Sequence, residues 1–228
     1  MASVEIGTKA PFRVTGGAWE GLPRMEEHPE QEGFIADVYE NPEGSRMCSG
    51  FFELKHTEEP LVYLYEYDEM KVVLEGEFVL TDVDTSDGAV TVDAGGQITA
   101  TDVDSSATDD DSNDITLTST GAGIEAQLVV AGSSNDVTLD AQGGAITENG
   151  DAGADVVGDV LTADAAGSVT LDTTVASADV STSVAGNIDI DETDAIVLSD
   201  IDTNDGAITV DAGGQITATD VDSSNTDA

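Results

Sequence analysis

"DGAVTVDAGGQITATDVDSS", Asp87 to Ser106, returns at Asp205 to Ser224 with one change, Val90 to Ile208. Widened, Val79–Asp109 matches Val197–Asp227 at 26 of 31 positions, with every partner 118 residues further on. A match of this length is internal duplication. Its inner pattern is apolar, polar, apolar over short triplets such as "VTV" and "ITA", separated by Gly and Asp. That is the period-two signature of short β-strands joined by turns.

The same pattern runs through the rest of the segment. A Gly or Asn, one further residue and an apolar triplet occur six times, from Gly88, Asn113, Asn135, Gly167, Gly186 and Gly206, with starts 25, 22, 32, 19 and 20 residues apart. A three-residue strand with one apolar face cannot bury that face alone. Successive units must therefore stack, and a repeat near 20 residues predicts a parallel β-solenoid. Val90 and Val92, Ile115 and Leu117, and Val137 and Leu139 then form inward ladders, while Thr91, Thr116 and Thr138 face water. Ala94, Ala141 and Ala212 suit a narrow interior. Six or seven coils at about 4.8 Å each make a rod on the order of 30 Å long. Disorder is the competing expectation, since acids without bases repel one another. The periodic Val, Ile and Leu weigh for the solenoid, above all in salt or calcium.

Composition sets a boundary. All six Lys and Arg, both His, all five Pro, the only Cys, the only Trp and every Met, Phe and Tyr lie between Met1 and Phe78. The acids there are 15 Glu and 2 Asp; beyond it they are 28 Asp and 3 Glu. The expected domains are residues 1–78 and 79–228, with charges of −11 and −31 in a total of −42. So acidic a chain repels phosphate, which excludes nucleic acid and disfavours anionic membranes; it attracts cations and suits high salt. No apolar run approaches the ~20 residues of a membrane span. The start has neither a basic segment nor an apolar run, so a cytoplasmic location is expected. Cys48 stands alone and has no disulfide partner in the chain.

The front region is broken by Pro11, Pro23, Pro29, Pro42 and Pro60 into lengths suited to short antiparallel strands. "GFFELKH" (50–56) and "LVYLYEY" (61–67) are such runs, and "KVVLEGEFVLTD" (71–82) reads as two strands about a Glu75–Gly76 turn. "WEGLP" (19–23) and "YEYDEMKVVLEGEFVLTD" (65–82) resemble the cupin superfamily, particularly the EutQ-type cupins of ethanolamine utilization, over about the first 82 residues. The resemblance implies a β-barrel whose mouth binds a small polar ligand through Tyr63, Tyr65, Tyr67 and Glu69. Glu69 and Gly76 keep the cupin spacing, but Tyr63-Leu64-Tyr65 stands where that pattern has His-x-His. Phenols with a pKa near 10 are poor ligands for a divalent metal, so no transition metal is expected. The second cupin motif has no counterpart among the following residues, so the barrel is expected to be incomplete and the junction near Phe78 to be a splice. His28 and His56, in charged stretches, and Cys48, without a nearby His, are expected to be inert.

The rear region resembles the strand-repeat regions of bacterial surface and adhesin-like proteins of the filamentous-haemagglutinin type, which implies an exported rod. Two acidic loops, "DVDTSDG" (82–88) and "DIDTNDG" (200–206), nominate Asp82, Asp84, Asp87, Asp200, Asp202 and Asp205 as calcium ligands, although Gly falls seventh where the EF-hand has it sixth and the twelfth residue is Asp93 or Asp211 where the EF-hand has Glu. Calcium is the only cofactor suggested. This half has no His, Cys, Lys, Arg or Tyr, so it lacks a base tuned near neutrality or a cation for an oxyanion. The resulting expectation is an all-β chain, an incomplete cupin-like barrel followed by an acidic β-solenoid, with a non-enzymatic binding or structural role. Self-association through the solenoid ends is a further expectation. The alternatives are a metabolic cupin with an irrelevant tail and a fragment of a surface adhesin.

Overall fold

The computed structural model describes residues 20–26, 29, 32–40, 48–55, 61, 71–73, 78–80, 82–108 and 112–224. It divides into Met1–Leu64 and Tyr65–Ala228. No helix occurs among the described residues, so the chain is all-β as expected.

In the first unit, strands Gly33–Glu40 and Cys48–Leu54 pair antiparallel with an irregularity between Asp37 and Tyr39, and Arg24 bridges to Phe34 on the other edge of the first strand. Met25 is buried here, against Gly33, where any Cβ would meet its sulfur at 2.8 Å. The strand read at "GFFELKH" is thus present, beginning two residues earlier.

The second unit is a parallel β-solenoid. Each coil has three sides, and each side stacks on its counterpart one coil later. The first side runs Val90, Ile115, Val137, Leu161, Ala178, Leu198 and Ala218. The second runs Phe78, Ile98, Ile124, Ile146, Val169, Ile188 and Ile208. The third runs Val83, Val103, Val129, Val156, Thr173, Glu192 and Ala212. The expected inward pairs, Val90/Val92, Ile115/Leu117 and Val137/Leu139, are all buried, and the Thr residues between them point outward.

Two expectations are corrected. Strands Lys71–Val73 and Phe78–Leu80 do not form a hairpin in the described pairings; each lies parallel on the next coil, at Val92–Ala94 and Ile98–Ala100. The compositional seam at Phe78 therefore lies inside the stack. The six triplets also do not stack on one another. Those at Val90, Ile115 and Val137 occupy the first side, whereas those at Val169, Ile188 and Ile208 occupy the second. The 32-residue gap in the motif spacing is one coil, Val137 to Leu161, plus one side, Leu161 to Val169. The duplicated sequence is consequently rotated by a side: Val90 seats on the first ladder and its copy Ile208 on the second. The first and second sides both present aliphatic residues at period two, so such a strand can seat on either. The copies differ in cover as well. Ile98 and Val103 are 0 % exposed beneath the following coil, but Ile216 and Val221 of the last described coil are 42 % and 44 % exposed.

Turn backbones are held by asparagines. Asn113 and Asn135 are buried; the Gly88 N–H donates to Asn113 Oδ1 at 2.7 Å, the Asn113 N–H to Asn135 Oδ1 at 3.0 Å, and Asn135 Nδ2 to the Ala131 carbonyl at 3.0 Å. Removing such an acceptor strands a buried N–H, which costs about 1–3 kcal/mol. Asn135→Ala is therefore expected to lower the unfolding free energy by that amount, read as a lower urea midpoint at unchanged slope, whereas exposed Asn149→Ala changes the free energy by less than about 0.5 kcal/mol.

Candidate functional site

The register that stacks the apolar ladders also stacks the residues between them. Asp172, Asp191 and Asp211 lie directly over one another on successive coils, as do Asp140 and Asp164, Asp202 and Asp222, and Asp84 and Asp104. With strands about 4.8 Å apart, these are columns of like charge. Their chemistry shows in the carboxyl groups. Asp84 is held above the usual carboxylate range by Asp82 first and then by burial, Asp102 and Asp104. For Asp202, burial comes first, followed by Asp200, Asp220, Asp222 and Asp179.

Of the predicted calcium ligands, the structure thus brings Asp82 and Asp84 together with Asp102 and Asp104 of the next coil, and Asp200 and Asp202 together with Asp179, Asp220 and Asp222. Asp87 and Asp205 are exposed turn residues, Asp205 with a positive φ of 69° where the first copy instead has Gly88 at 119°. The two loops lie on different sides, since Val83 belongs to the third ladder and Ile201 continues the first. Among the described residues no three His, Cys, Asp or Glu side chains are grouped to hold a metal ion. Tyr63, Tyr65, Tyr67 and Glu69 lie outside the described residues.

A site not anticipated from the sequence lies where the coils are most uneven. Val129 to Val156 takes 27 residues and Val156 to Thr173 only 17, so residues 148–155 form a loop on the wall. A shallow depression of about 150 Å³ lies there, lined by Gly153, Ala154, Asp172, Asp191, Glu192 and Thr193. Glu192 occupies the third interior ladder, below Thr173. Its carboxylate is buried, accepting from Thr173 Oγ1 at 2.8 Å, the Val175 N–H at 3.1 Å and the Asp194 N–H at 3.1 Å. Asp155 is 1 % exposed, and burial pushes its carboxyl up to about 6. A visible signal was the residue type: Glu148 and Glu192 are two of only three Glu among the 31 acids of residues 79–228.

A carboxyl raised beside ionised partners is the pattern of a general acid. Asp155 does not meet the geometric requirement, because its buried carboxyl has no open approach to a substrate. What the depression offers is acceptor oxygens and no cationic side chain.

Fold and site define an all-β chain with an acidic parallel β-solenoid. Residues 13–115 match the family model described as "Ethanolamine utilisation protein EutQ". No curated protein and no solved structure matches the chain. The N-terminal region is therefore similar to EutQ, and the match extends through the first described coils, where every described pairing from Lys71 onward is parallel. No described helix is long and apolar enough to cross a membrane.

Most displaced carboxyls here, those of Asp84, Asp102, Asp136, Asp155, Asp172, Asp179 and Asp202, are raised; Asp151 is lowered by backbone and Asn149 hydrogen bonds. A raised folded-state pKa means that the folded chain holds the proton more tightly than the unfolded chain, so stability is greatest at low pH and is lost as pH rises through the raised values. The melting temperature at low ionic strength is expected to fall from about pH 4 to about pH 7, with a smaller fall in molar salt, as scanning calorimetry would register. A melting temperature that rises over this interval would refute the assignment.

Proposed function

We propose that the chain is a non-enzymatic binding or structural protein, an acidic rod that gathers cations along its faces, joined to a cupin-like region that binds a small polar ligand. The observation that carries this reading is the in-register column Asp172–Asp191–Asp211, with its shorter companions, on the outside of an interior filled by Val, Ile, Leu and Ala. No Lys, Arg or His follows Lys71, so residues 72–228 supply no counter-charge of their own. Calcium at the Asp82/Asp84 and Asp200/Asp202 clusters is the preferred cation, since hard oxygen ligands suit it. The resemblance to surface repeat proteins fits a rod of this kind.

Thermal unfolding of the full chain, titrated with sodium or calcium chloride, tests the reading. Stabilisation by millimolar calcium that needs molar sodium to equal, and that is weakened in Asp200→Asn/Asp202→Asn, is expected. Indifference to both salts would remove the cation role.

The EutQ match favours a second reading, a metabolic cupin of the ethanolamine-utilisation type. Under that reading ethanolamine binds with measurable heat, and Glu69→Gln or Tyr65→Phe abolishes the heat while leaving the melting temperature within about 2 °C. Equal loss of stability in both variants would instead make these residues structural.

A further inference from the structure

We propose that Asp155 is a proton-operated latch: protonated, it fastens the loop of residues 148–154 to the solenoid wall, and ionised, it loosens that joint. The residue ties three coils together. Its N–H donates to the Asp172 carbonyl at 2.7 Å, its own carbonyl accepts from the Val129 N–H at 2.7 Å, and its Oδ2 accepts from the Asp172 N–H at 3.3 Å. The second oxygen, Oδ1, is buried without a hydrogen-bond partner. The loop it anchors is the surplus of the longest coil step, and it is internally braced, with the Asp151 N–H donating to Asn149 Oδ1 and the Gly153 N–H to Asp151 Oδ1, each at 2.8 Å. Asp155 is thus the fixed end of a self-contained loop.

Among the described residues every charged group facing this carboxyl is negative. Glu148 and Asp151 approach from the loop and Asp172 from the following coil, while Val129 and Val130 on the preceding coil carry no charge. Beyond them Asp172 is itself pressed by Asp191 and Asp189. An ionised carboxylate buried among like charges, with no basic side chain anywhere after Lys71, is costly. A proton removes that cost and turns one oxygen into a donor. The sign is that of a raised acid: the joint is tightest below about pH 6 and loosens as pH rises through that value.

Hydrogen exchange of the full chain, at constant salt with chelator and corrected for intrinsic rates, tests this. Opening at the Val129, Asp155 and Asp172 amides is expected to be about tenfold rarer near pH 5 than near pH 7.5, as follows from carboxyl pKa values of 3.8 when open and about 6 when closed. Asp155→Asn, which keeps the shape without the charge, should hold the acid-level protection at both pH values. Glu148→Gln provides a variant that leaves Asp155 itself intact; by removing one facing charge it should move the wild-type transition to lower pH. The latch is overturned if Asp155→Asn keeps the pH dependence, if Glu148→Gln leaves the transition in place, or if wild-type protection is equal at both pH values. Calcium reproducing the acid effect near pH 7.5 would also overturn it, since a bound cation would then be the operator.

Discussion

One hydrogen-bond register governs both surfaces of this solenoid. The pairing that lays Ile190 on Leu171 inside also lays Asp191 on Asp172 outside, because alternate residues of one strand cannot choose separate partners. Burial and repulsion are therefore coupled: each coil added to the apolar core also adds to the columns of carboxylates. At about 5 Å, two unit charges repel by roughly a kcal/mol in water, and by more where water is displaced. The carboxyls of Asp172, Asp179 and Asp202 are raised by burial first and then by that repulsion from neighbouring aspartates. The aliphatic ladders offset it, together with backbone hydrogen bonds running from coil to coil.

The departures from regularity are local and have identifiable chemistry. Asn113 and Asn135 supply acceptors to turn N–H groups that have no ladder partner. Glu192 enters the interior where earlier coils place Val103, Val129 and Val156, and its carboxylate is held by three donors rather than by a cation. The unequal coil lengths around Val156 push out residues 148–154. Polar interior residues and surplus chain thus meet on one stretch of wall, where the shallow depression and the buried Asp155 also lie.

The strands, their inward residues and the parallel stacking were legible in the sequence, because period-two apolar triplets with Gly and Asp turns have few other uses. Ladder membership was not. "VTL" at Val137 and "VTL" at Val169 are the same letters on different sides of the coil, and nothing local distinguishes them. The acid clusters were half legible: Asp82 with Asp84, and Asp200 with Asp202, are near in sequence, but Asp104 and Asp179 reach them only through a coil of about 20 residues. Asp155 could not be found this way, since one Asp among the 28 that follow Phe78 carries no mark of burial. The hairpin expected about Glu75 failed because its strands complete a coil, and parallel stacking on Val92–Ala94 and Ile98–Ala100 competes with local antiparallel pairing.

The change of ladder after Val137 is the feature on which the rest of the rod's register depends, and paired cysteines in a Cys48→Ser background test it directly. Thr138 is the in-register partner of Thr162, whereas a stack aligned by motif would place it on Thr170. Under mild oxidation Thr138→Cys/Thr162→Cys is expected to cross-link within one chain and Thr138→Cys/Thr170→Cys to remain reduced, since a disulfide requires Cα atoms within about 7 Å. Cross-linking of the second pair in preference to the first would contradict the account.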